Sequence, residues 1–336
     1  MNRQITLASR PSGFPKASDF HLAESPMLWP AHGQVLVQTI YLSVDPYMRG
    51  RMSDAKSYAR PLAIGEVMPG GAVGRVLESA DPKFQVGAIV QGMLGWQEYA
   101  IVDAAGLRVI DGSLGPIQTA LGVLGLPGLA AYFGLLDVAH PQAGQTVVVS
   151  GAAGAVGMLV GQIARIMGCR AVGIAGSDAK VAFLVDELGF AAAFNYKASP
   201  DAYARLAELC PQGVDIYFDN VGGAISDAVL RLINVHARIA ICGQISQYNL
   251  ERPELGPRWF GQLVVKRAKA QGFLVSDYAE RYAEGFAGMG QWLRQGKLKY
   301  REDVTQGLEN APLAFMGMLQ GKNAGKQLVQ VSEWTA

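Results

Sequence analysis

The feature that most restricts the fold is a regular alternation of short apolar segments and amphipathic segments that begins at Gln145. The apolar segments have the length and composition of buried strands, and the amphipathic ones have the periodicity of helices. Strands separated by helices of this length form a parallel sheet with right-handed crossovers. The sequence therefore predicts an α/β, doubly wound domain with strands at TVVVS, RAVGIAG, AAFNY, VDIYFDN, RIAICG and KAQGFLV, and helices at AVGMLVGQIARIMG, DAKVAFLVDELG, PDAYARLAELC and AISDAVLRLI.

The chain before about residue 115 follows a different pattern, with apolar residues at alternate positions. The segments GQVLVQTIYLSV, AVGRVLES, GAIVQGML and EYAIV predict strands of a twisted, partly barrelled β domain. The last segments return to strand, helix and strand, and we expect them to pack back on this domain. Because 336 residues exceed what one core usually holds, we predict a β-rich domain at 1–122 and 300–336 and the α/β domain at 123–299.

The charge balance argues against nucleic acid or an anionic membrane as the main partner. Lysine and arginine number 29 against 28 aspartates and glutamates, and no block of one sign stands out. Cys169, Cys210 and Cys242 are far apart, so they suggest neither a disulfide framework nor a structural zinc site. The first twenty residues do not resemble a secretory signal. We expect a cytoplasmic protein that binds a small molecule.

Residues 112–136 have the length of a membrane-spanning helix and carry no charged side chain, so a membrane-spanning helix is one interpretation of this stretch. Pro116, Pro127 and the glycines between them interrupt this stretch. Because proline and glycine break helices, we predict two short buried helices rather than one span.

The first strand-to-helix turn has the sequence VVVSGAAGAVG, with Gly151, Gly154 and Gly157 spaced three apart. Glycines at such a turn allow the backbone to approach a pyrophosphate at the positive end of a helix dipole. Glycines also serve ordinary helix–strand packing, and the usual fingerprint is G-x-G-x-x-G. Because the turn follows a strand and opens a helix, a dinucleotide site is the favoured interpretation.

The end of the second strand indicates which dinucleotide binds. A carboxylate at this position accepts a hydrogen bond from the ribose 2′-OH of NAD, but the segment in this chain is AGSDAK, with Gly176 and Ser177 at the strand end. We assign Asp178 as the N-cap of the next helix and Lys180 as a partner for a 2′-phosphate. NADP is therefore favoured, with a solvated surface lysine as the alternative.

Tyr248 follows the fifth predicted strand, in the segment ARIAICGQISQYNL. Gly243 lets the chain turn where the apolar run ends, and ligands bind at the carboxyl ends of the strands in open α/β sheets. We therefore predict a ligand-facing role for Tyr248. A tyrosine that only caps a loop is the alternative.

Eight segments spread over nearly the whole chain point to a known family: LSVDPYMRGRM, GLPGLAAYFGL, GAAGAVG, AGSDAK, FNYK, YFDNVGG, CGQISQYN and GKNAGK. With them the chain resembles the medium-chain dehydrogenase/reductase superfamily, in its zinc-free leukotriene B4 dehydrogenase or prostaglandin reductase group. That group includes bacterial curcumin reductases and plant alkenal double-bond reductases. The resemblance implies a Rossmann-type domain and a GroES-like catalytic β domain. One departure is Ala130, where many relatives have threonine.

Zinc-dependent members of the superfamily carry Gly-His-Glu where this chain has Gly65 directly followed by Glu66. The histidine ligand is missing, the first cysteine is Cys169, and the four histidines lack ligand-like partners nearby in the sequence. We therefore predict no zinc site, and so no metal-polarised alcohol oxidation.

The resemblance also implies roles for individual residues. The cofactor would contact Gly151, Ala153, Gly154, Ala155, Val156, Gly157, Gly176, Ser177, Lys180, Tyr196, Asn220, Cys242, Gly243, Phe273, Leu274, Val275 and Asn323. Tyr47 and Arg49 would belong to the substrate pocket, with a structural salt bridge as the alternative for Arg49.

The function implied is NADPH-dependent reduction of the C=C bond of an α,β-unsaturated ketone or aldehyde. Hydride transfer to the β-carbon moves negative charge to the carbonyl oxygen, and Tyr248 would be the catalytic residue that stabilises this enolate. Two alternatives stay open, an NADPH-dependent quinone reductase and a non-catalytic NADPH-binding protein, because a fold does not determine a function. The expected partner is a small unsaturated carbonyl compound, and a homodimer is considered as well.

Overall fold

The computed structural model describes residues 1–334, and the chain divides into two compact units. The first unit comprises Met1–Gly122 and the segment that starts at Glu302, and the second comprises Val123–Arg301. Strands and helices are numbered separately in chain order.

The first unit is rich in strands. These are β1 (Asn2–Leu7), β2 (Phe20–Ser25), β3 (Gln34–Ser43), β4 (Gly71–Ser79), β5 (Ile89–Met93), β6 (Tyr99–Asp103), β7 (Arg108–Val109), β14 (Glu302–Gln306) and β15 (Lys326–Gln330). Seven of them form a mixed sheet in the order β14-β15-β3-β4-β5-β7, with β6 paired to β3. β1 and β2 form a separate antiparallel pair.

An aromatic cluster marks the core of the first unit. Phe20 and Trp96 stack with ring centroids 6.0 Å apart, and Phe315 meets Trp96 edge-on at 5.8 Å. The helices of this unit are α1 (Tyr47–Arg51) and α9 (Ala311–Leu319). Because α9 carries Phe315 and β15 pairs with β3, the last segments of the chain pack on the first unit, as expected.

The second unit contains a six-stranded parallel sheet. Its strands are β8 (Thr146–Ser150), β9 (Arg170–Ala175), β10 (Ala192–Asn195), β11 (Val214–Asp219), β12 (Ile233–Ile241) and β13 (Lys269–Gly272). The order β10-β9-β8-β11-β12-β13 is that of a doubly wound dinucleotide-binding sheet, whose strand order reverses between β8 and β11. The predicted fold class is therefore confirmed.

A helix lies in each of the five connections between these parallel strands: α3 (Gly157–Ile166), α4 (Asp178–Ala182), α5 (Ala202–Leu209), α6 (Gly223–Leu230) and α7 (Phe260–Lys266). α2 (Leu126–Phe133) precedes β8, and α8 (Tyr282–Arg294) follows β13. π-helical turns extend α2 over Gly134–Ala139 and α4 over Phe183–Glu187. All five residues of β8 are buried, as a central strand of a parallel sheet requires.

The charge-free residues 112–136 form two short 3₁₀ turns followed by α2 and the start of its π-helical turn. Pro116 directly precedes the second 3₁₀ turn, and Pro127 lies in the first turn of α2. Across residues 1–334, no helix is both long enough and apolar enough to cross a membrane.

Two predicted strand boundaries were wrong. β12 begins at Ile233 rather than at Arg238, because the polar Asn234 and His236 hide its start in the sequence, and His236 has a φ of +65°. β13 ends at Gly272, so Phe273 and Leu274 lie in the following loop and Val275 begins a 3₁₀ helix, rather than lying in the strand.

Candidate active site

The carboxyl ends of all six strands of the parallel sheet meet at one edge of the second unit. The predicted cofactor residues of this unit come directly after those strands: Gly151 after β8, Gly176 after β9, Tyr196 after β10, Asn220 after β11, Cys242 after β12 and Phe273 after β13. The sheet thus brings residues from six separate parts of the sequence to one edge.

The turn after β8 is too tight for side chains at its glycines. Gly151 has a φ of +58°, and its carbonyl oxygen accepts a hydrogen bond from the N–H of Gly154 at 3.0 Å. A Cβ on Gly157 would overlap that oxygen and stand 2.8 Å from the Cα of Ala152. The N-terminus of α3 has no side-chain cap, and the positive end of the helix dipole there suits a phosphate. This phosphate cradle, residues 151–157, also includes Ala153, Ala155 and Val156.

The structure at the end of β9 shows that the prediction of Asp178 as the N-cap of α4 was wrong. The N-cap of α4 is Ser177, whose hydroxyl accepts from the N–H of Lys180 at 3.4 Å. Asp178, predicted as the N-cap, is the first helical residue, and its carboxylate accepts from Nδ2 of Asn195 at 2.9 Å. Serine and aspartate cap equally well, so the extended backbone of Ser177 decides which of them does so.

A second lysine lies at this strand end, and sequence reasoning missed it. β10 pairs with β9 so that Asn195 stands opposite Ala175, which makes the residues after both strands neighbours. A Cβ on Gly176 would stand 3.4 Å from the ring of Tyr196 and 3.5 Å from Cε of Lys197. Tyr196 is 38% exposed, and Lys197 is exposed as well. The segment FNYK carried the signal, because Lys197 directly follows Tyr196.

Asn220 joins the two strands between which the sheet order reverses. Its Nδ2 atom donates to the carbonyl oxygen of Ser150 at 2.8 Å, and its backbone N–H donates to the Ser150 hydroxyl at 2.9 Å. The ends of β8 and β11 are thereby held together. The Nδ2 atom of Asn220 is therefore already bound within the protein. A contact of Asn220 with a cofactor stays a prediction.

Asp219, the last residue of β11, is buried at this edge with 3% of its surface exposed. Its carboxylate accepts six hydrogen bonds, all from neutral groups: the hydroxyls of Ser150, Tyr217 and Ser226, the backbone N–H groups of Val221 and Gly222, and Nε2 of Gln244. Such hydrogen bonds stabilise a carboxylate that burial alone would destabilise. Burial, followed by the negative charge of Asp219, raises the pKa of Tyr217 well above its ordinary value, so this phenol stays a neutral donor.

Cys242 and Gly243 bind the backbone of the same aspartate. Their N–H groups donate to the carbonyl oxygen of Asp219 at 2.9 and 3.1 Å. Burial, with a smaller contribution from the charge of Asp219, raises the pKa of Cys242 to about 12. Because the thiolate is the reactive form, Cys242 is not a nucleophile at neutral pH.

Tyr248 is half-buried at the end of a 3₁₀ turn, Ile245–Gln247, that follows β12. The backbone N–H of Gln244 donates to the Tyr248 hydroxyl oxygen at 3.1 Å. A Cβ on Gly243 would stand 3.2 Å from this oxygen, so the glycine leaves room for the hydroxyl. The tyrosine is therefore held against the end of β12, at the same sheet edge as the phosphate cradle.

Phe273 uses its ring for packing inside the second unit. Its ring meets that of Phe218 edge to face, with centroids 6.2 Å apart. A Cβ on Gly134, the first residue of the π-helical turn after α2, would overlap the Phe273 ring. A contact of Phe273, Leu274 or Val275 with a cofactor stays a prediction.

The predicted residues of the first unit lie in the short helix α1 and in the turn before β15. Tyr47 begins α1, and burial raises the pKa of its phenol above the ordinary range. Arg49 is 5% exposed, and its Nη2 donates to the carbonyl oxygens of Pro11 and Gly13 at 3.3 and 2.8 Å. It thereby anchors the loop between β1 and β2, and its place in a substrate pocket stays a prediction. Asn323 donates from Nδ2 to the carbonyl oxygen of Gly325 at 2.8 Å, in the turn before β15.

Glu66, which follows Gly65, is held by groups other than metal ligands. It forms an ion pair with Arg60 and accepts from the N–H of Ala63 at 2.9 Å. The hydrogen bonds from Arg60 are the main reason that the pKa of Glu66 lies below its usual range. Within residues 1–334, no group of three or more His, Cys, Asp or Glu side chains could hold a metal ion.

Comparison with known proteins gives matches along most of the chain. Residues 3–110 match a family model described as the N-terminal domain of oxidoreductase, and residues 155–289 match one described as zinc-binding dehydrogenase. An NADPH-dependent curcumin reductase from Escherichia coli is 46% identical over 98% of this chain and 97% of its own length. A 2-alkenal reductase (NADP(+)-dependent) from Nicotiana tabacum is 44% identical over 98% of both chains.

A solved structure matches equally well. CurA from Vibrio vulnificus in complex with NADPH superposes with a TM-score of 0.95 at 51% identity, covering 99% of this chain and 100% of CurA. Identities of this size over almost the full length establish the family, and the membership predicted from sequence is confirmed. The chain therefore belongs to the medium-chain dehydrogenase/reductase family, in the group of NADP-dependent reductases that includes curcumin reductase, 2-alkenal reductase and prostaglandin reductase 1.

Proposed function

We propose that this protein reduces the C=C bond of α,β-unsaturated ketones and aldehydes with NADPH as the hydride donor. The observation that carries the proposal is the Tyr248 hydroxyl, fixed by the N–H of Gln244 at the sheet edge that also bears the phosphate cradle. The relatives named curcumin reductase and 2-alkenal reductase support both the cofactor and the substrate class.

NADPH supplies a hydride when it is bound. The phosphate cradle would hold its pyrophosphate, because the backbone can be approached closely there and the N-terminus of α3 favours negative charge. Lys180, Tyr196 and Lys197 would hold the 2′-phosphate, since two cations and a hydroxyl suit a doubly charged anion. Residues 273–275 would contact the nicotinamide.

Tyr248 would act on the charge that develops during reduction. As the β-carbon is reduced, negative charge appears on the carbonyl oxygen of the substrate. A hydrogen bond from a neutral hydroxyl is worth more to this enolate than to the starting carbonyl, which is the condition for catalysis. Water would supply the α-carbon proton, so no acidic side chain is assigned to that step.

The substitution Tyr248→Phe tests this role, because it keeps the ring and removes one donor. We expect the rate of hydride transfer to fall by about 10–1000-fold while NADPH affinity stays the same. The measurement is single-turnover NADPH oxidation with an acyclic enone, together with a cofactor titration. Tyr203→Phe on α5, where the Arg231 guanidinium lies 3.5 Å from the ring centroid, is the matched control. An unchanged rate in Tyr248→Phe would remove Tyr248 from the catalytic site.

A substrate screen separates the proposal from its alternatives. Enones, quinones and saturated aldehydes are compared by the value of kcat/KM for NADPH oxidation. A quinone that is turned over faster than every enone would favour the quinone reductase. Tight NADPH binding without substrate-dependent oxidation would favour the non-catalytic protein.

For the first unit we propose a substrate-binding role. The phenol of Tyr47, neutral at physiological pH, would contact the substrate, and Arg49 would shape the pocket by fixing the loop at Pro11 and Gly13. Tyr47→Phe should then raise KM for the enone without changing the affinity for NADPH. If the KM of Tyr47→Phe equals that of the wild type for each of several enones, this role is contradicted.

For assembly we propose a homodimer that forms at β13. This strand lies at an edge of the sheet, and edge strands present unpaired backbone groups. In α7, just before β13, Phe260 is 83% exposed and Val264 is 78% exposed. Light scattering should give twice the 35.8 kDa chain mass, and Val264→Lys should shift the protein toward a monomer. A monomeric wild-type protein would contradict the proposal.

A cytoplasmic location is proposed from the cysteines. Cys169, Cys210 and Cys242 are all free thiols, and thiols persist in a reducing compartment. Fractionation of cells that express the tagged protein would test this location.

A further inference from the structure

The carboxylate of Asp219 is the centre of a hydrogen-bond network that the proposed reaction does not use directly. It is buried, and six neutral donors surround it. Five of these donors come from β8, β11, the turn after β11, and α6. The sixth, Nε2 of Gln244, comes from the loop after β12 and lies 2.8 Å from Oδ2 of Asp219.

The side chain of Gln244 is confined on several sides. Its Nε2 atom also donates to the carbonyl oxygen of Gly243 at 3.1 Å. Its Oε1 atom lies over Gly222, where an added Cβ would overlap it, and Gly222 has a φ of +73°. Because its Nε2 atom is bound to Asp219, the Gln244 side chain attaches the loop after β12 to the end of β11.

The backbone of the same residue reaches the proposed catalytic group. The N–H of Gln244 donates to the Tyr248 hydroxyl oxygen at 3.1 Å. This hydrogen bond occupies an acceptor position of the hydroxyl and draws electron density from its O–H bond, which makes the O–H a stronger donor. Gln244 therefore links Asp219 to Tyr248, through its side chain at one end and its backbone N–H at the other.

We propose that Gln244 is a positioning residue for the reaction. Its side chain, bound to Asp219, holds its own N–H on the Tyr248 hydroxyl, so that this hydroxyl is presented as a donor to the enolate oxygen. The inference rests on the proposed role of Tyr248 and adds to it the device that orients the hydroxyl. Gln244 does not contact the reacting atoms, and it acts only through Tyr248.

A double-mutant cycle tests this dependence. Gln244→Met keeps the length of the side chain and removes both the donor to Asp219 and the amide oxygen. We expect it to slow single-turnover hydride transfer to 3-nonen-2-one by about 3–30-fold, with unchanged NADPH affinity. In the Tyr248→Phe background the same change should alter the rate by less than about twofold, since the hydroxyl it positions is already absent.

The outcomes separate this inference from the proposed function. One outcome is that Tyr248→Phe slows hydride transfer and the added Gln244→Met slows it further by the same factor as in the wild-type background. In that case Tyr248 keeps its role and the inference about Gln244 fails. If Tyr248→Phe alone has the wild-type rate, the role of Tyr248 fails and the inference fails with it. A Gln244→Met protein with the wild-type rate would likewise overturn the inference.

The same loop supplies a matched control. Gln247 lies three residues later, and its Nε2 atom donates to the Ser246 hydroxyl at 3.0 Å and to Glu254 at 3.3 Å. Gln247→Met should keep the wild-type rate of hydride transfer. Thermal unfolding of all variants shows whether a slower rate reflects a general loss of structure, because a merely structural role of Gln244 would weaken NADPH binding and lower the Tm together.

Discussion

The Nδ2 atom of Asn220 donates a hydrogen bond to the carbonyl oxygen of Ser150, 2.8 Å away, and so joins the ends of β8 and β11. These two strands flank the point where the sheet order reverses. Because the backbone N–H of Asn220 also binds the Ser150 hydroxyl, the phosphate cradle and the loop after β11 are fixed relative to each other. A cofactor at this edge would meet a surface arranged before it binds.

Gly157→Ala should weaken NADPH binding by about tenfold or more, because the new methyl group would overlap the Gly151 carbonyl oxygen and force the cradle open. Fluorescence titration of NADPH measures the effect. Gly261→Ala in α7 is the control, since a Cβ there meets nothing within 4 Å. Equal NADPH affinity in Gly157→Ala and Gly261→Ala would contradict the proposal that the cradle binds the pyrophosphate.

Lys180→Ala should weaken NADPH binding by about 1.5–3 kcal/mol, since it removes a charge-assisted contact with the 2′-phosphate. Lys197→Ala should cost less, about 1 kcal/mol, because this lysine is exposed and screened by solvent. NADH affinity should hardly change in either variant. Titrations with both cofactors measure the difference, with the exposed Lys297→Ala as control. Equal losses for NADPH and NADH would reject NADP selectivity at this strand end.

Alkaline pH should destabilise the protein partly through Cys242. Burial raises its pKa to about 12 in the folded state, whereas the unfolded thiol has its ordinary value near 9. Between these values the folded state binds more protons than the unfolded state, so the free energy of unfolding falls as pH rises. In urea unfolding from pH 8 to 10.5, the slope should be shallower in Cys242→Ala, by a difference that is small at pH 8 and approaches about 1.4 kcal/mol per pH unit at pH 10.5. Identical slopes would show that burial does not hold this proton.

Metal removal should leave the activity unchanged. Glu66 is bound to Arg60, and the residue before it is Gly65 rather than a histidine ligand. Enone reduction measured before and after long dialysis against EDTA should therefore agree. Elemental analysis that finds one zinc per chain would contradict the prediction, as would activity that returns only when zinc is added.

Much of the candidate site was predictable because its residues follow strands whose pattern is clear in the sequence. Gly151, Gly154 and Gly157 come directly after five consecutive buried residues, and Tyr248 follows a similar apolar run. A parallel sheet then places both groups at the same edge without further information. The other predicted site residues came from the resemblance of individual segments to the family.

The remaining parts depend on contacts between distant residues. Asp219 was missed because its donors come from several segments, from Ser150 to Gln244, and no local pattern marks them. Lys197 was missed because its place beside Gly176 follows from the pairing of β10 with β9. β2 escaped prediction for a different reason: most of its residues are exposed or half-buried, so it lacks a strong alternation of apolar residues.

The pairing of β15 with β3 has a consequence for the order in which this protein folds during synthesis. β3 is made early, but β15 leaves the ribosome only after the whole of Val123–Arg301. At about 5–20 residues per second, those intervening residues take roughly 10–40 s to translate. The second unit is continuous in sequence, so it can fold while the ribosome still holds the chain. The first sheet waits over the same interval with the backbone of β3 at residues 41–43 unpaired on the side that β15 will occupy, and unpaired strand backbone of this kind promotes aggregation.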